Sequence, residues 1–337
     1  MRAFFIFIVL TFMFLAGCRD NNTPNAEVTS TNTAEIQDVE ETADAEGLPK
    51  EPIMEEEVSK EIRLIDPYTK ELIASITPED LGLYTDKLSY ETRIKQLAKV
   101  LAQGTESKVG YDQRMQLDRI NENGELIEGQ PMIILKESEL VERILAVSSD
   151  GGDVELPLYT TETGYNRMEF NTLDEVIISS FTTYFNPADI GRTNNIRQSS
   201  EAISNVIVGM GDYFSFNTTV GPRTIETGYQ EALEIVNGEF VVGIGGGICQ
   251  TSSTLFNAVD AVGVTLVERH HHSRHIGYVP KGLDATVSYG TLDFRFQNTT
   301  GIPIMITSKT GEDSITVEIR TSQKYADQLE SLTSKTY

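Results

Sequence analysis

The chain has 337 residues, of which 39% are hydrophobic and 8% aromatic, enough for a packed core and too many for a wholly disordered chain. Its 51 acidic residues outnumber the 27 basic ones, giving a formal net charge of −24. A field of that sign repels phosphate backbones, so the composition argues against nucleic acid as a partner. The chain contains 2 cysteines and 4 histidines, and their positions carry most of the functional signal.

The N-terminus has the pattern of an export signal. Arg2 precedes an almost wholly apolar run at residues 3–15. About 13 residues is short for a membrane-spanning helix and typical of a signal-peptide core. The run ends in the sequence LAGC, which resembles the lipobox of bacterial lipoproteins, so we expect residues 1–18 to be a lipoprotein signal and Cys18 to be lipidated. A plain secretory signal that contains Cys18 is the alternative.

Lipidation of Cys18 predicts an extracytoplasmic protein anchored to the outer face of a bacterial plasma membrane. It would also leave Cys249 as the single thiol, so that no internal disulfide could form. Residues 19–60 are rich in Asn, Thr, Ala, Asp and Glu and hold few large apolar side chains. This composition predicts a disordered acidic tether.

Residues 61–175 predict a small α+β domain of binding or spacer type. Residues 62–65 have the pattern of a strand. Apolar residues at helical spacing predict one helix that ends at Gly104 and a second around residues 140–145. The region contains no histidine, cysteine or glycine-rich loop, so it carries no visible chemistry.

Residues 176–322 predict a second α+β domain with mainly antiparallel strands, and residues 323–337 follow as a C-terminal tail. The expected elements alternate short apolar strands with two amphipathic helices. They are a strand at 176–180, a helix through Ile196, Ile203, Val206 and Ile207 that ends at Gly209, a helix at 255–262 closed by Gly263, a strand at 264–267, and an antiparallel meander near 292–296, 302–306 and 315–319.

A glycine-rich loop, GIGGGICQTSST at residues 243–254, precedes the second of these helices. It is not a Walker motif, because no Gly-Lys-Ser/Thr follows, and it lacks the third glycine of a dinucleotide fingerprint. The loop places Cys249 in the first turn of the helix, with Thr251 or Ser252 as the expected N-cap. Because a helix N-terminus favours negative charge, it should favour the thiolate.

All four histidines lie in the run ERHHHSRH at residues 268–275. In an extended strand His270 and His272 share one face, so either could come within hydrogen-bond reach of Cys249. A Cys/His pair is the arrangement that nucleophilic catalysis needs. The expected third, orienting group is Asp284 or Asp293.

The expected oxyanion donors are the backbone N–H groups of Gly247 and Cys249 and the side-chain amide of Gln250. Other interpretations stay open. Cys249 could be a small buried hydrophobic residue, the glycines could serve only close packing, and Asp284 could cap a turn. The histidines with Cys249 could also bind a metal, although His270, His272 and His275 do not fit a standard zinc spacing.

A series of short motifs runs from about residue 179 to residue 319. The motifs are NNI at 194–196, FSFN at 214–217, VGPRT at 220–224, GY at 228–229, GGGICQ at 245–250, SSTL at 252–255, ERH at 268–270, HS at 272–273, YVP at 278–280, DATV at 284–287 and YG at 289–290. This series resembles the VanW-like domain of bacterial envelope proteins, named from vancomycin-resistance gene clusters, and covers roughly 40% of the chain. The chain departs from the family pattern at His271, where a proline is usual, and at GMGD, residues 209–212, where a Pro-Gly-Glu turn is common.

The resemblance implies a cell-wall setting and selects Cys249, His270, His272 and Asp284 as site residues, without supplying a reaction. It also implies a peptidoglycan-binding-like role for residues 61–175. We therefore expect a surface lipoprotein that performs cysteine-dependent acyl transfer or hydrolysis on peptidoglycan peptides, without a cofactor. The predicted substrate-binding residues are Gly245, Gly246, Gly247 and Tyr278.

Two rival functions remain open at this stage. One is a non-catalytic module that binds peptidoglycan or another wall polymer, and the other is a metal-binding envelope protein.

Overall fold

The computed structural model describes residues 60–236 and 238–334. The predicted signal peptide, Cys18 and all of the predicted tether except Lys60 lie outside the described residues. The last three residues of the predicted tail lie outside them as well.

The helices and strands confirm the expected α+β class. In the described residues β1 and β8 pair in parallel, and the other strand pairs within the sheets are antiparallel. The first half contains β1 (Ile62–Ile65), β2 (Leu72–Ile76), α1 (Lys87–Gln103), β3 (Gly104–Thr105), β4 (Lys108–Val109), β5 (Arg119–Ile120), β6 (Leu126–Ile127), β7 (Met132–Leu135), α2 (Glu137–Val147), β8 (Gly152–Glu155), β9 (Leu158–Thr161) and a 3-10 turn at Arg167–Thr172. The second half contains β10 (Val176–Tyr184), α3 (Ile190–Ile203), β11 (Val206–Val208), β12 (Tyr213–Ser215), α4 (Phe216–Val220), β13 (Glu231–Val236), β14 (Glu239–Ile244), α5 (Ile248–Asp260), β15 (Thr265–Glu268), β16 (Arg295–Gln297), β17 (Ile304–Thr310), β18 (Ser314–Thr321) and α6 (Gln323–Ser334).

A first core lies between the sheet β2-β1-β8 and the helices α1 and α2. Tyr90, Ile94 and Ala98 of α1 are fully buried in it, as their helical spacing predicts. The helix begins after Asp86, whose carboxylate accepts the Ser89 N–H, and ends where the chain turns at Gly104. Both helices expected in this region are confirmed.

A second core lies on a six-stranded sheet in the order β10-β18-β17-β11-β5-β6. The helices α3 and α5 pack against this sheet, and the buried face of α5 includes Leu255, Ala258 and Val259. β5 and β6 precede residue 175 in the chain, yet β5 joins this sheet where Arg119 pairs with Val206. Part of the N-terminal region thus completes the sheet on which the second half is built, while the domain bounds themselves stay predictions.

Two expected elements of the second half are wrong. The helix through Ile196 ends at Ile203, because Asn205 adopts a left-handed backbone (φ 59°) and the β-branched residues of β11 pair with β17. The expected three-stranded meander is also incorrect, since β16 pairs with β12 and β15 in a separate sheet while β17 pairs with β18. Among the described residues, no helix has the length and apolarity needed to cross a membrane.

Candidate active site

Cys249 is the second residue of α5, directly after the glycine-rich loop. The helix follows Gly247, whose left-handed backbone (φ 110°) would strain a residue with a side chain. A Cβ at Gly246 would lie 2.6 Å from the carbonyl oxygen of Leu233 in β13. These glycines therefore let the loop pack tightly where α5 begins, and the substrate-binding role expected for them and Gly245 stays a prediction.

Neither Thr251 nor Ser252 caps α5, so that prediction is wrong. The N-cap is Gly247, and both hydroxyl-bearing residues lie inside the helix. Thr251 Oγ1 lies 2.7 Å from Ser199 Oγ, while Ser252 donates to a carbonyl of the 283–285 segment. No side chain of the described residues accepts a hydrogen bond from the N–H groups of the first turn of α5. Because Cys249 lies in this turn, the positive end of the helix dipole acts on its thiol.

Cys249 is a half-buried residue, and its sulfur lies against the segment 284–289. Thr286 Oγ1 and the backbone nitrogen of Val287 each lie 3.5 Å from Sγ. Both groups carry a hydrogen that can be donated to sulfur. The segment thus offers two donors to a thiolate.

His272 is the histidine that reaches the thiol. Its side chain is 6% exposed, its Nδ1 donates to Asp284 Oδ2 at 2.8 Å, and its ring lies close enough to Cys249 for each group to shift the pKa of the other. Because Nδ1 is bonded to Asp284, Nε2 is the ring nitrogen left to interact with the thiol. The Tyr278 hydroxyl lies 3.5 Å from the same Nε2, with the two rings nearly perpendicular.

Asp284 holds the peptide that carries the histidines. Its Oδ2 accepts the His272 backbone N–H at 2.7 Å as well as the ring bond, and its Oδ1 accepts His271 Nδ1 at 2.8 Å. Burial acts to raise the pKa of Asp284, but these bonds outweigh it and lower the pKa to about 2. The carboxylate is therefore ionised at neutral pH and orients the His272 ring.

The thiol and the imidazole shift each other toward an ion pair. Burial acts to raise the pKa of Cys249, but the hydrogen bond and charge of His272, with Thr286 and Val287, outweigh it and lower the pKa. Burial acts to lower the pKa of His272, but Cys249 and Asp284 raise it overall. Both shifts make proton transfer from sulfur to the imidazole easier, and that transfer gives the activated state of a cysteine nucleophile.

The same helix that carries Cys249 also holds the chain on both sides of Asp284. Asn257 Nδ2 donates to the Leu283 carbonyl at 2.8 Å, and the Ala285 N–H donates to Ser253 Oγ at 2.9 Å. We call these contacts, together with the Ser252 bond to the Ala285 carbonyl, the α5 seam. The seam sets the position of the carboxylate relative to the sulfur.

Two predicted site residues lie away from the thiol. His270 Nε2 is 3.0 Å from Glu268 Oε1, so this imidazole is hydrogen-bonded to a neighbouring carboxylate. The Gln250 amide is 1% exposed, donates to Thr183 Oγ1 and the carbonyl of the next residue in β10, and accepts from Arg192. Its two amide hydrogens are thus committed to β10 and do not reach an oxyanion at Cys249.

Asp293, the second candidate for the orienting carboxylate, anchors another part of the fold. It is 3% exposed and accepts hydrogen bonds from Arg114, from Ser215 Oγ and from the backbone of Asn217. It also borders a cavity of about 290 Å³. The cavity is lined by Arg114, Asn217, Thr218, Glu268, Tyr289, Gly290, Thr291 and Asp293.

Sequence reasoning missed three contributors to the site. Thr286 and the Val287 N–H belong to the DATV motif, in which only Asp284 was given a role. Arg223 belongs to the VGPRT motif and lies near enough for the Cys249 thiolate to act on its charge. The motif series was the available signal, but it does not say which members meet in space. In the described part of the chain, no group of three or more His, Cys, Asp and Glu side chains is arranged to hold a metal ion.

Alkylation of Cys249 by iodoacetamide should show the lowered thiol pKa directly. We expect the rate to rise with pH at a midpoint below the value of about 8.5 for a free thiol, because only the thiolate reacts. In His272→Gln the stabilising bond is lost while burial remains, so the midpoint should move upward by about 1 unit or more. The measurement is the second-order alkylation rate from pH 5 to 10.

The matched control for that measurement is His270→Gln, the same chemical change in a ring bonded to Glu268. It should keep the wild-type midpoint. Equal midpoints in wild-type protein and His272→Gln would show that His272 does not activate the thiol.

Comparison with known proteins identifies the family. Residues 191–320, which include Cys249, His272 and Asp284, match the family model described as VanW like protein. YoaR of Bacillus subtilis, described as uncharacterized, is 39% identical over 208 residues, covering 60% of this chain and 68% of YoaR. The chain belongs to the VanW-like family.

A second VanW-like relative is more distant. The vancomycin B-type resistance protein VanW of Enterococcus faecalis is 30% identical over 111 residues, which is 32% of this chain and 40% of VanW. No solved structure matches the chain. The proposed role of the VanW-like site therefore rests on its own geometry.

Proposed function

We propose that this VanW-like chain is a cell-envelope lipoprotein that performs cysteine-dependent acyl transfer or hydrolysis on peptidoglycan peptides. The observation that carries the proposal is the position of Cys249, at the N-terminus of α5, beside the His272 ring that Asp284 holds by a hydrogen bond. A nucleophile, a base and a group that orients the base are the three parts that acyl transfer to a side chain requires.

In the first half-reaction, the Cys249 thiolate attacks the carbonyl carbon of a peptide amide, and a C–S bond forms. The protonated His272 gives its Nε2 proton to the nitrogen of the leaving amine as the C–N bond breaks. The product is an acyl thioester on Cys249 and a free amine. Asp284 stabilises the imidazolium until the proton is transferred.

In the second half-reaction, water or an acceptor amine attacks the thioester. His272 takes one proton from the attacking group, the C–S bond breaks, and sulfur leaves as the thiolate. Water gives hydrolysis and an amine gives transfer. The same residues serve both outcomes, so the acceptor decides which occurs.

The oxyanion of each tetrahedral intermediate would lie beside the first turn of α5. The Cys249 N–H is at the second position of this helix, where backbone donors have no intrahelical acceptor. Such donors, with the helix dipole, stabilise developing negative charge. This part of the expected oxyanion site is retained in the proposal, whereas the Gln250 amide is not.

The envelope setting is supported by sequence. The LAGC sequence at Cys18 supports lipid anchoring on the outer face of the plasma membrane, and the family resemblance supports peptidoglycan as the polymer. The name of the E. faecalis relative associates that protein with vancomycin resistance. These points support the location, and the triad supports the chemistry.

The test is to trap the thioester. Purified full chain is mixed with stem peptides released from peptidoglycan, quenched in acid, digested and analysed by mass spectrometry. We expect the peptide that contains Cys249 to gain the mass of the substrate less the leaving amine, and hydroxylamine to remove that mass.

Cys249→Ala is the control for trapping and should gain no mass. If folded wild-type protein forms no adduct and leaves the stem peptides unchanged while it still binds intact peptidoglycan, the non-catalytic wall-binding function replaces the proposal.

A further inference from the structure

Arg223 carries a buried hydrogen-bond donor that the fold leaves unused. Its Nη1 donates to Asn217 Oδ1 at 2.7 Å. Its Nη2 is covered by protein and has no hydrogen-bond partner in the described part of the chain. An unpaired polar group of this kind is costly, and more so when it carries charge. The position is therefore suited to a ligand that supplies the missing acceptor.

The guanidinium lies between one buried and one exposed aromatic ring. Its carbon is 5.6 Å from the centroid of Phe216, which is fully buried, and 5.5 Å from that of Tyr289, which is 52% exposed. Tyr289 is thus the more exposed of the two rings beside the guanidinium. Asp293, the carboxylate whose charge reaches Arg223, is already bonded to Arg114.

Arg223 and His272 contact different parts of the segment that borders the nucleophile. The segment 284–289 meets the imidazole, the sulfur and the guanidinium in sequence order. Asp284 binds His272, Thr286 and Val287 contact Cys249, and Tyr289 stacks on Arg223. The charge of the Cys249 thiolate acts to raise the pKa of Arg223, so the guanidinium and the sulfur are near enough for a direct electrostatic interaction.

This separation of contacts suggests an assignment for the two parts of the substrate. In the proposed mechanism the leaving amine lies beside His272, and we assign the acyl part to the side of Arg223. Asn217 and Tyr289, which both contact Arg223, line the cavity of about 290 Å³. The acyl part of the substrate therefore has a space to enter and a cation beside it.

We propose that Arg223 binds a carboxylate on the acyl side of the scissile amide, so that the acyl donor is an acidic peptide. The inference rests on the proposed function for its direction, but not for its test. A carboxylate supplies two acceptor oxygens in the plane of a guanidinium, which matches the unused Nη2.

The test compares two alkylating agents that differ only in this group. Iodoacetate carries a carboxylate next to the reacting carbon, and iodoacetamide carries a neutral amide there. The rates of both with Cys249 are measured in the purified full chain at a pH on the alkylation plateau, and their ratio is normalised to that of glutathione. We expect the ratio of the iodoacetate rate to the iodoacetamide rate, normalised to that of glutathione, to be about 10 or more. The reason is that a charge-assisted hydrogen bond to Arg223 would hold iodoacetate beside the sulfur.

Arg223→Gln should reduce the normalised ratio to about one while iodoacetamide continues to react. Arg223→Lys keeps the charge without the planar donors and should give an intermediate ratio, which separates a local effect from misfolding. Arg197→Gln is the matched control, because Arg197 is an exposed arginine on the neighbouring α3, and it should keep the wild-type ratio.

A wild-type ratio equal to that of glutathione would overturn the inference, and so would an elevated ratio that persists in Arg223→Gln. If Arg223→Gln slows stem-peptide conversion but leaves an elevated ratio unchanged, Arg223 acts on the oxyanion and the carboxylate site is refuted. No amide is cleaved in the measurement, so its failure is distinct from failure of the acyl-transfer proposal.

Discussion

Cys249→Ala is expected to lower the rate of stem-peptide conversion by about 10⁴-fold or more, because the Cys249 sulfur is the atom that forms the thioester. His272 and Asp284 would keep their mutual hydrogen bond, so the rest of the site should stay in place. The measurement is the rate of product release followed by mass spectrometry, with binding to intact peptidoglycan assayed in parallel.

Peptidoglycan binding and the thermal unfolding midpoint serve as controls for that variant. Both should stay close to wild type, since the substitution removes one sulfur atom, whose contacts with Thr286 and Val287 are long, at 3.5 Å. Full conversion by Cys249→Ala would remove Cys249 from the mechanism, and the non-catalytic function would then fit the fold better.

Asp284→Asn should lower kcat by roughly 10³- to 10⁴-fold with a smaller effect on KM. The carboxylate is charged, lies 2.8 Å from His272 Nδ1 and raises the pKa of that imidazole. A neutral amide would lose the stabilisation of the imidazolium and, with it, of the thiolate. The iodoacetamide midpoint of the variant should therefore rise together with the loss of kcat.

Asp260→Asn is the matched control, an exposed carboxylate at the C-terminal end of the same helix. It should leave kcat and the alkylation midpoint unchanged. If Asp284→Asn alters KM alone, the carboxylate binds substrate and does not orient the base.

The fold was predictable where one periodicity dominates. α1 and α5 have apolar residues at helical spacing on one face, and both form close to the expected positions. The failure after Ile203 has a local cause, since Val206 and Ile207 continue a helical pattern but lie in a strand that needs β17 as its partner. Strand pairing between residues about 100 positions apart, such as Val206 and Ile306, cannot be detected from the pattern of neighbouring residues alone.

The site was predictable as a set of candidates but not as an arrangement. Alternation along a strand places His270 and His272 on the same face, so the sequence cannot say which of them meets Cys249. In the structure Asp284 hydrogen-bonds both the backbone N–H and the ring of His272 and holds this histidine at the site. Gln250 follows Cys249 in sequence, but one residue of α-helix is a rotation of about 100°, which turns its amide toward β10. The catalytic roles of these residues stay predictions until the variants are measured.

The α5 seam joins the two chain segments that carry the site, the helix α5 and residues 283–285. Cys249 and the seam residues Ser252, Ser253 and Asn257 all lie on α5, so the rise of one helix fixes the distances between them. The three seam residues bind main-chain atoms of residues 283–285. The exposed side chain of Leu283 can therefore change without moving the Asp284 carboxylate, whereas a one-residue insertion in residues 283–285 would displace it. A substitution at Leu283 and a length change in this segment should thus differ sharply in how well they are tolerated.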